Sequence, residues 1–232
     1  MKKILFTILV SVFTLQVSVA QVKIGFKFSP NIAFASIVDR ENNDLFQYDN
    51  QGAAVRYSTG ANLDFFFGEN YAFSTGLWYT VRNVGLDYTR DTTAFKSRHN
   101  LKYLQVPLTI KAYSNEFVPG IRAYFQFGGT LDYKVGEKIM KWEALGRAAS
   151  LPTPNDRERF FLDFDATLLL GAGVRYQLGE STFATAGVSY NRGLINAIRK
   201  DLPIDRAYQA IGQRSKANVF TQLVSLDLGI FF

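Results

Sequence analysis

One histidine and no cysteine bound the chemistry open to this chain. His99 follows Ser97 closely, with Asp91 and Asp87 upstream. A base, a hydroxyl and a carboxylate are the parts of an acyl-transfer site, provided the fold holds the base on its nucleophile. The segment 87–100 reads as a loop, so the expectation is a solvated histidine and no catalytic residue. A second candidate is the pair Asp163 and Asp165, which share one face of a strand. Here Arg122 and Arg175 are the expected ion partners, rather than a sugar. Without cysteine there is no disulfide and no thiolate metal site. No glycine-rich phosphate loop and no cluster with metal-ligand spacing occurs, so neither a cofactor nor a metal is expected. The formal charge of +6 is mild, and no basic stretch is interleaved with aromatics. Nucleic acid is therefore not an expected partner.

The elements that would position these residues are strands. Phe220, Gln222, Val224, Leu226, Leu228, Ile230 and Phe232 alternate with Thr221, Leu223, Ser225, Asp227 and Gly229. That is a strand with one oily face, ending the chain on an aromatic ring. At the other end, Met1-Lys2-Lys3 precedes an uncharged apolar run that closes on Ser18-Val19-Ala20. Residues 1–20 are read as a secretory signal peptide, and 21–232 as one domain. No later run approaches the roughly 20 apolar residues of a membrane helix. A chain like this crosses a membrane only as a closed barrel.

Eight alternating segments are legible, near 22–34, 53–67, 71–86, 101–114, 119–134, 161–177, 182–195 and 219–232. Short connections (68–70, 115–118, 178–181) alternate with long ones (35–52, 87–100, 135–160, 196–218). The pattern predicts an all-β, eight-stranded, antiparallel, up-and-down transmembrane β-barrel with both termini at the short-turn, periplasmic end. The charges of these strands are read onto the polar face. They are Arg56, Arg82, Lys111, Arg122 and Arg175 with Asp64, Asp132, Asp163, Asp165 and Asp227, joined by Lys23 and Lys27. A charge on the lipid face near the midplane costs about 2–4 kcal/mol. The expected interior is thus a salt-bridged plug, since eight strands enclose little more than their own side chains. Outward aromatics should form two girdles, with Phe65, Phe67, Tyr71, Phe73, Tyr176 and Phe232 at one end. Tyr57, Tyr79, Tyr133, Phe164, Tyr190 and Phe220 should form the other.

Leu101-Lys-Tyr-Leu-Gln-Val-Pro-Leu-Thr-Ile-Lys111 resembles a strand of PorT-like outer-membrane β-barrels of the Bacteroidetes. Val22–Asn31 and Phe73–Tyr79 resemble the first and third strands of that family. The resemblance implies a cell outer-membrane barrel, with a place in type IX secretion among its possible roles. Gln105 stands where the family often has Glu, so no role of that carboxylate carries over. Pro107 falls mid-strand and predicts a local bulge.

Two function classes follow. One is a non-enzymatic accessory or structural subunit of an outer-membrane complex for secretion or assembly. The other is a standalone barrel binding lipopolysaccharide or another ligand through its loops, or at the margin a lipid-modifying enzyme. The loop cations include Arg90, Lys96, Arg98, Lys138, Lys141, Arg147, Arg157, Arg199 and Lys216, which suit lipopolysaccharide phosphates. Ile139–Gly146 reads as a short helix that offers Trp142 as an anchor, ended by Pro152 and Pro154. Tyr208 lies in an apolar fourth loop and is a second candidate contact. Phe232 is the expected handle for the barrel-insertion machinery. Deleting Phe232 should lower the membrane yield of folded protein more than any single loop substitution, read as heat-modifiable migration on gels; unchanged yield would refute this.

Overall fold

The computed structural model describes residues 21–39, 47–50, 52–90, 93–145, 161–197 and 217–232. The strands are β1 (Gln21–Asp39), β2 (Gln47–Asn50), β3 (Ala54–Phe66), β4 (Tyr71–Arg90), β5 (Thr93–Tyr113), β6 (Ile121–Leu145), β7 (Phe164–Gln177), β8 (Phe183–Gly193) and β9 (Ala217–Phe231). All pairings are antiparallel. The order β3-β1-β9-β8-β7-β6-β5-β4 returns to β3, so eight strands close a barrel and β2 adds a short edge to β4. The closing seam sets Phe26 beside Ile230 and Phe28 beside Leu228, and Phe232 donates its N–H to Ile24 O at 2.9 Å.

Alternation decides the two faces. Ile24, Phe26 and Phe28 of β1, Leu104, Val106, Leu108 and Ile110 of β5, and Leu226, Leu228 and Ile230 of β9 point outward and are exposed. Lys23, Ser29, Asn31, Asp64, Ser74, Gln105 and Asp227 point inward and are buried. The barrel is oily outside and polar inside, the reverse of a soluble barrel. Lys102 and Arg192 depart from the expected charge sorting, because both face outward near the long-loop end, where the cost of a charge falls away.

The strands also run further than the alternation suggested. The expected loop at 87–100 is almost entirely ladder, with Arg90 opposite Thr93. The expected helix at 139–146 is instead the end of β6, paired to β5 as far as Ala94 opposite Leu145. Ladder hydrogen bonds to β5 override the local helical pattern. Two register irregularities, at Arg98/His99 and Lys102/Tyr103, hide the alternation of β6. Pro107 carries no bulge: Val106, Pro107 and Leu108 keep register with Leu131, Thr130 and Gly129. Its missing N–H falls on the β4 side, where pairing skips from Thr75–Leu108 to Trp78–Gln105. Residues 1–20 and Tyr208 lie outside the described residues, as do most of the third and fourth loops.

Glycines on the inner face make room for large rings. A Cβ on Gly187 would stand 2.5 Å from Tyr124 Oη and 2.6 Å from Ala172 O. One on Gly25 would stand 2.4 Å from the Phe231 ring. Gly187→Val should therefore destabilise the barrel by about 1–3 kcal/mol through overpacking, measured by urea unfolding in lipid vesicles. A change within experimental error would show that the Tyr124 seat is loose.

Candidate functional site

The interior is filled at three heights. At the short-turn end Phe66, Ala72, Tyr113, Tyr124, Phe183 and Phe231 form a buried apolar cluster. Phe183 stacks on Phe231 with centroids 4.8 Å apart, and the Arg175 guanidinium lies 3.8 Å from the centroid of Phe183. Arg175 is thus held by rings and by Gln177 Oε1 at 2.8 Å, rather than by Asp163 or Asp165. Arg122 likewise bonds the rim, through Ser114 O at 2.8 Å and the Asn70 side chain. The expected partnership of these arginines with the aspartate pair fails for a simple reason. Antiparallel register puts them near the short-turn end, far along β6 and β7 from the pair.

Above the rings lies a layer of ion pairs. Lys111 meets Asp64 at 2.8 Å, and Lys27 meets Asp227 at 2.9 Å. Ser74 and Ser29 donate to the same two carboxylates, so each anion keeps more than one partner. Trp78 donates its indole N–H to Asn62 Oδ1 at 2.5 Å and lies under the Lys27 ammonium. Higher again, Arg82 bridges two aspartates from neighbouring strands. It contacts Asp132 and, at 2.9 Å, Asp165 Oδ2. Asp132 and Asp165 are directly opposed across β6 and β7, a like-charge pair that only a shared cation makes tenable. Gln105 and Thr130 donate to the other Asp132 oxygen, the Ala166 N–H donates to the other Asp165 oxygen, and Thr221 shares Asp165 Oδ2 with Arg82. Arg82 itself is 1% exposed, beneath the ring of Tyr103.

The long-loop mouth is closed by Val84, Leu101, Tyr103, Phe161 and Val219. His99 belongs here. It is 0% exposed on the inner face of β5, with its ring 5.2 Å from that of Phe161 and Nδ1 3.6 Å from Glu137 Oε1. A solvated loop histidine was the wrong expectation, because the loop is a strand. Lys134, absent from the sequence-derived set, binds Glu137 at 2.7 Å and Phe161 O at 2.5 Å, and faces Asp163 at 3.6 Å. Its inward direction follows from strict alternation with the outward Tyr133. Among the described residues Arg56 meets no carboxylate; it donates to Asn100 Oδ1 at 2.7 Å and Asn83 Oδ1 at 3.3 Å. The backbone of Trp142 is in β6, opposite Ser97. A water-sized space beside Lys27, Asn62, Trp78 and Asp227 is too small for a solute. Among the described residues no three histidine or carboxylate groups converge for a metal ion.

A family model described as outer membrane protein beta-barrel domain matches residues 16–199. Among solved structures, the chain is similar to the outer membrane protein OprG from Pseudomonas aeruginosa, with 13% identity, 90% of this chain and 95% of that chain covered, and a TM-score of 0.50. It is also similar to Neisserial surface protein A, NspA, with 13% identity, coverage of 89% and 95%, and a TM-score of 0.40. The N-terminal β-barrel domain of Pseudomonas aeruginosa OprF gives 12% identity, coverage of 92% and 99%, and a TM-score of 0.39. No curated protein matches the chain in sequence.

The Arg82 triad has a sharp consequence. Arg82→Met should cost about 3–5 kcal/mol, because it strands two buried carboxylates against each other. Adding Asp132→Asn and Asp165→Asn should recover most of that loss in urea unfolding from lipid vesicles. A triple variant no more stable than Arg82→Met would contradict the arrangement.

Proposed function

The chain belongs to the outer membrane protein beta-barrel domain family, and from that premise we propose that this small outer-membrane barrel is a non-enzymatic accessory or structural subunit of a larger outer-membrane complex. The observation that carries the proposal is the filled interior: rings, ion pairs and a second apolar layer follow one another from end to end. Among the described residues these layers leave no open lumen, which favours work done on the wall and rim. The rim supports this. β4, β5 and β6 run to Arg90, Thr93 and Leu145, well beyond the last β6–β7 pair at Tyr133–Phe164. They raise a tall sheet on one side of the long-loop mouth, a surface larger than barrel closure needs. The likeness of Leu101–Lys111 to PorT-like barrels of the Bacteroidetes makes a secretion machine of the type IX kind the first assembly to examine. In this reading both termini are periplasmic and the tall sheet is extracellular.

An enzyme is disfavoured by the placement of Ser97 and His99. Both are buried on the inner face of β5, behind the strand from any lipid substrate. A standalone lipid-binding barrel is the second reading, favoured by the exposed cations on the outer wall of β5 and β6.

Two measurements on the same preparation test the proposal. Gentle detergent extraction should yield a species heavier than the lone barrel, and planar bilayers should show no large, stable channels. A single small monodisperse species would overturn the subunit role, and steady channel conductance would overturn the sealed interior.

A further inference from the structure

The rim at the short-turn end is built from three turns, at 68–70, 114–120 and 178–182, that follow one another around the barrel. Arg122 stitches the first turn to the second. Its guanidinium donates to Glu69 O at 3.2 Å and Ser114 O at 2.8 Å, and it holds the Asn70 side chain. The Gln177 N–H joins the second turn to the third through Gly120 O at 2.8 Å. Lys23 Nζ reaches Ser181 O at 2.8 Å and ties the third turn to β1. The rim is therefore one fixed arc, and its cations face backbone carbonyls.

Each turn also carries one exposed glutamate, namely Glu69, Glu116 and Glu180. Among the described residues no cation lies within ion-pair distance of these three carboxylates. Glu116 accepts the Gly120 N–H at 3.4 Å and stays exposed. Between the carboxylates stand apolar side chains: Phe117 is 61% exposed, Val118 47% and Leu178 53%. The turn beneath Phe117 and Val118 is stiff. The Phe117 N–H donates to Ile121 O at 3.3 Å, and the Ile121 N–H to Val118 O at 2.8 Å. Pro119 fixes its own φ, and Gly120 takes a φ of 77° that a side chain would resist. Phe117 and Val118 thus form a rigid knuckle, and Leu178 follows the Gly120–Gln177 bond directly.

Apolar groups at a barrel rim ordinarily enter the lipid headgroups. The interleaved carboxylates oppose that here, since entry would desolvate them and set them against lipid phosphates. An exposed apolar seat flanked by charge of one sign fits a polypeptide that brings an apolar side chain and the opposite charge. A seat already fixed also loses little freedom on binding. We propose that the short-turn rim docks a basic, apolar-anchored segment of a protein partner. Phe117, Val118 and Leu178 form the seat, and Glu69, Glu116 and Glu180 the surrounding charge. This deepens the subunit reading above, on which it rests, and puts the contact on the periplasmic side.

The test uses the chain folded in phosphatidylcholine nanodiscs, with three fluorescent peptides as probes. One alternates lysine with phenylalanine, one glutamate with phenylalanine, and one lysine with serine. Empty nanodiscs set the background. Fluorescence anisotropy should show the lysine–phenylalanine peptide binding about tenfold or more tighter than either of the others. E69Q/E116Q/E180Q and F117S/V118S should each erase that preference. Equal binding of the three peptides overturns the proposal, as does a folded variant of either kind that keeps the preference. The chain has no cysteine, so a nitroxide on Phe117→Cys reports the surroundings of the knuckle alone. It should collide with an aqueous nickel chelate rather than with oxygen dissolved in lipid. The reverse would make the rim a lipid contact and overturn the docking role. Gentle detergent extraction separates the two levels of failure. A lone barrel from the parent defeats the subunit reading and the docking role with it. A heavier species that persists unchanged in both multiple variants defeats this surface alone.

Discussion

Every backbone N–H and C=O inside a bilayer must find a partner within the protein, and the rest of this structure depends on that requirement. Eight strands meet it by closing on themselves, with β1 pairing to β3 on one side and β9 on the other. Closure fixes register, and register fixes which side chains meet lipid. The only described interruptions on this ladder near mid-height are at prolines. Pro30 pairs with Tyr57 but leaves a gap toward β9, and Pro107 pairs with Thr130 but leaves a gap toward β4. In each case the missing donor costs one rung and leaves the register on both sides unchanged.

Closure also confines the polar face to a narrow space. The most deeply buried charges there are shut off from bulk water, and they are compensated from other strands. Lys111–Asp64, Lys27–Asp227 and Arg82 with Asp132 and Asp165 do this across long sequence separations. Such pairs add little net stability over an apolar filling of equal shape, yet removing one partner is costly. Their effect is specificity: a strand slipped by one residue would carry an unpaired charge into lipid. Among the described residues, the apolar layers at Phe231 and Phe161 lie at the two ends of this charged stack.

The fold was legible because its signal repeats eight times. The alternation of β9, the loop lengths and the outward aromatics each point to the same barrel, and consistency across strands outweighs the weakness of any one. The identities of interior partners were not legible, because they depend on height along tilted strands. Asp165 lies nearer in sequence to Arg175, but register delivers Arg82. The long-loop side was obscured for a different reason. Charged and polar residues at 87–100 and 135–145 look like loop, since above the membrane an outward strand face no longer needs to be apolar. Once the lipid constraint lapses, the alternation that identifies a strand lapses with it, while backbone pairing continues.

The two bulges of β6 link the interior to the wall. A bulge changes the parity of every residue beyond it, so its effects on the two faces cannot be separated. The extra residue at Val135 brings Glu137 inward, where Lys134 and His99 meet it, and the same shift turns Lys138 outward. Had the ladder run straight, Glu137 would lie among the outward cations and neutralise them, and Lys138 would crowd Lys134 inside. The inner mouth would then hold two lysines without their glutamate. One inserted residue thus balances charge within the barrel and concentrates one sign of charge on its surface. Paired charges at the inner mouth and cations on the outer wall both follow from backbone register in this chain.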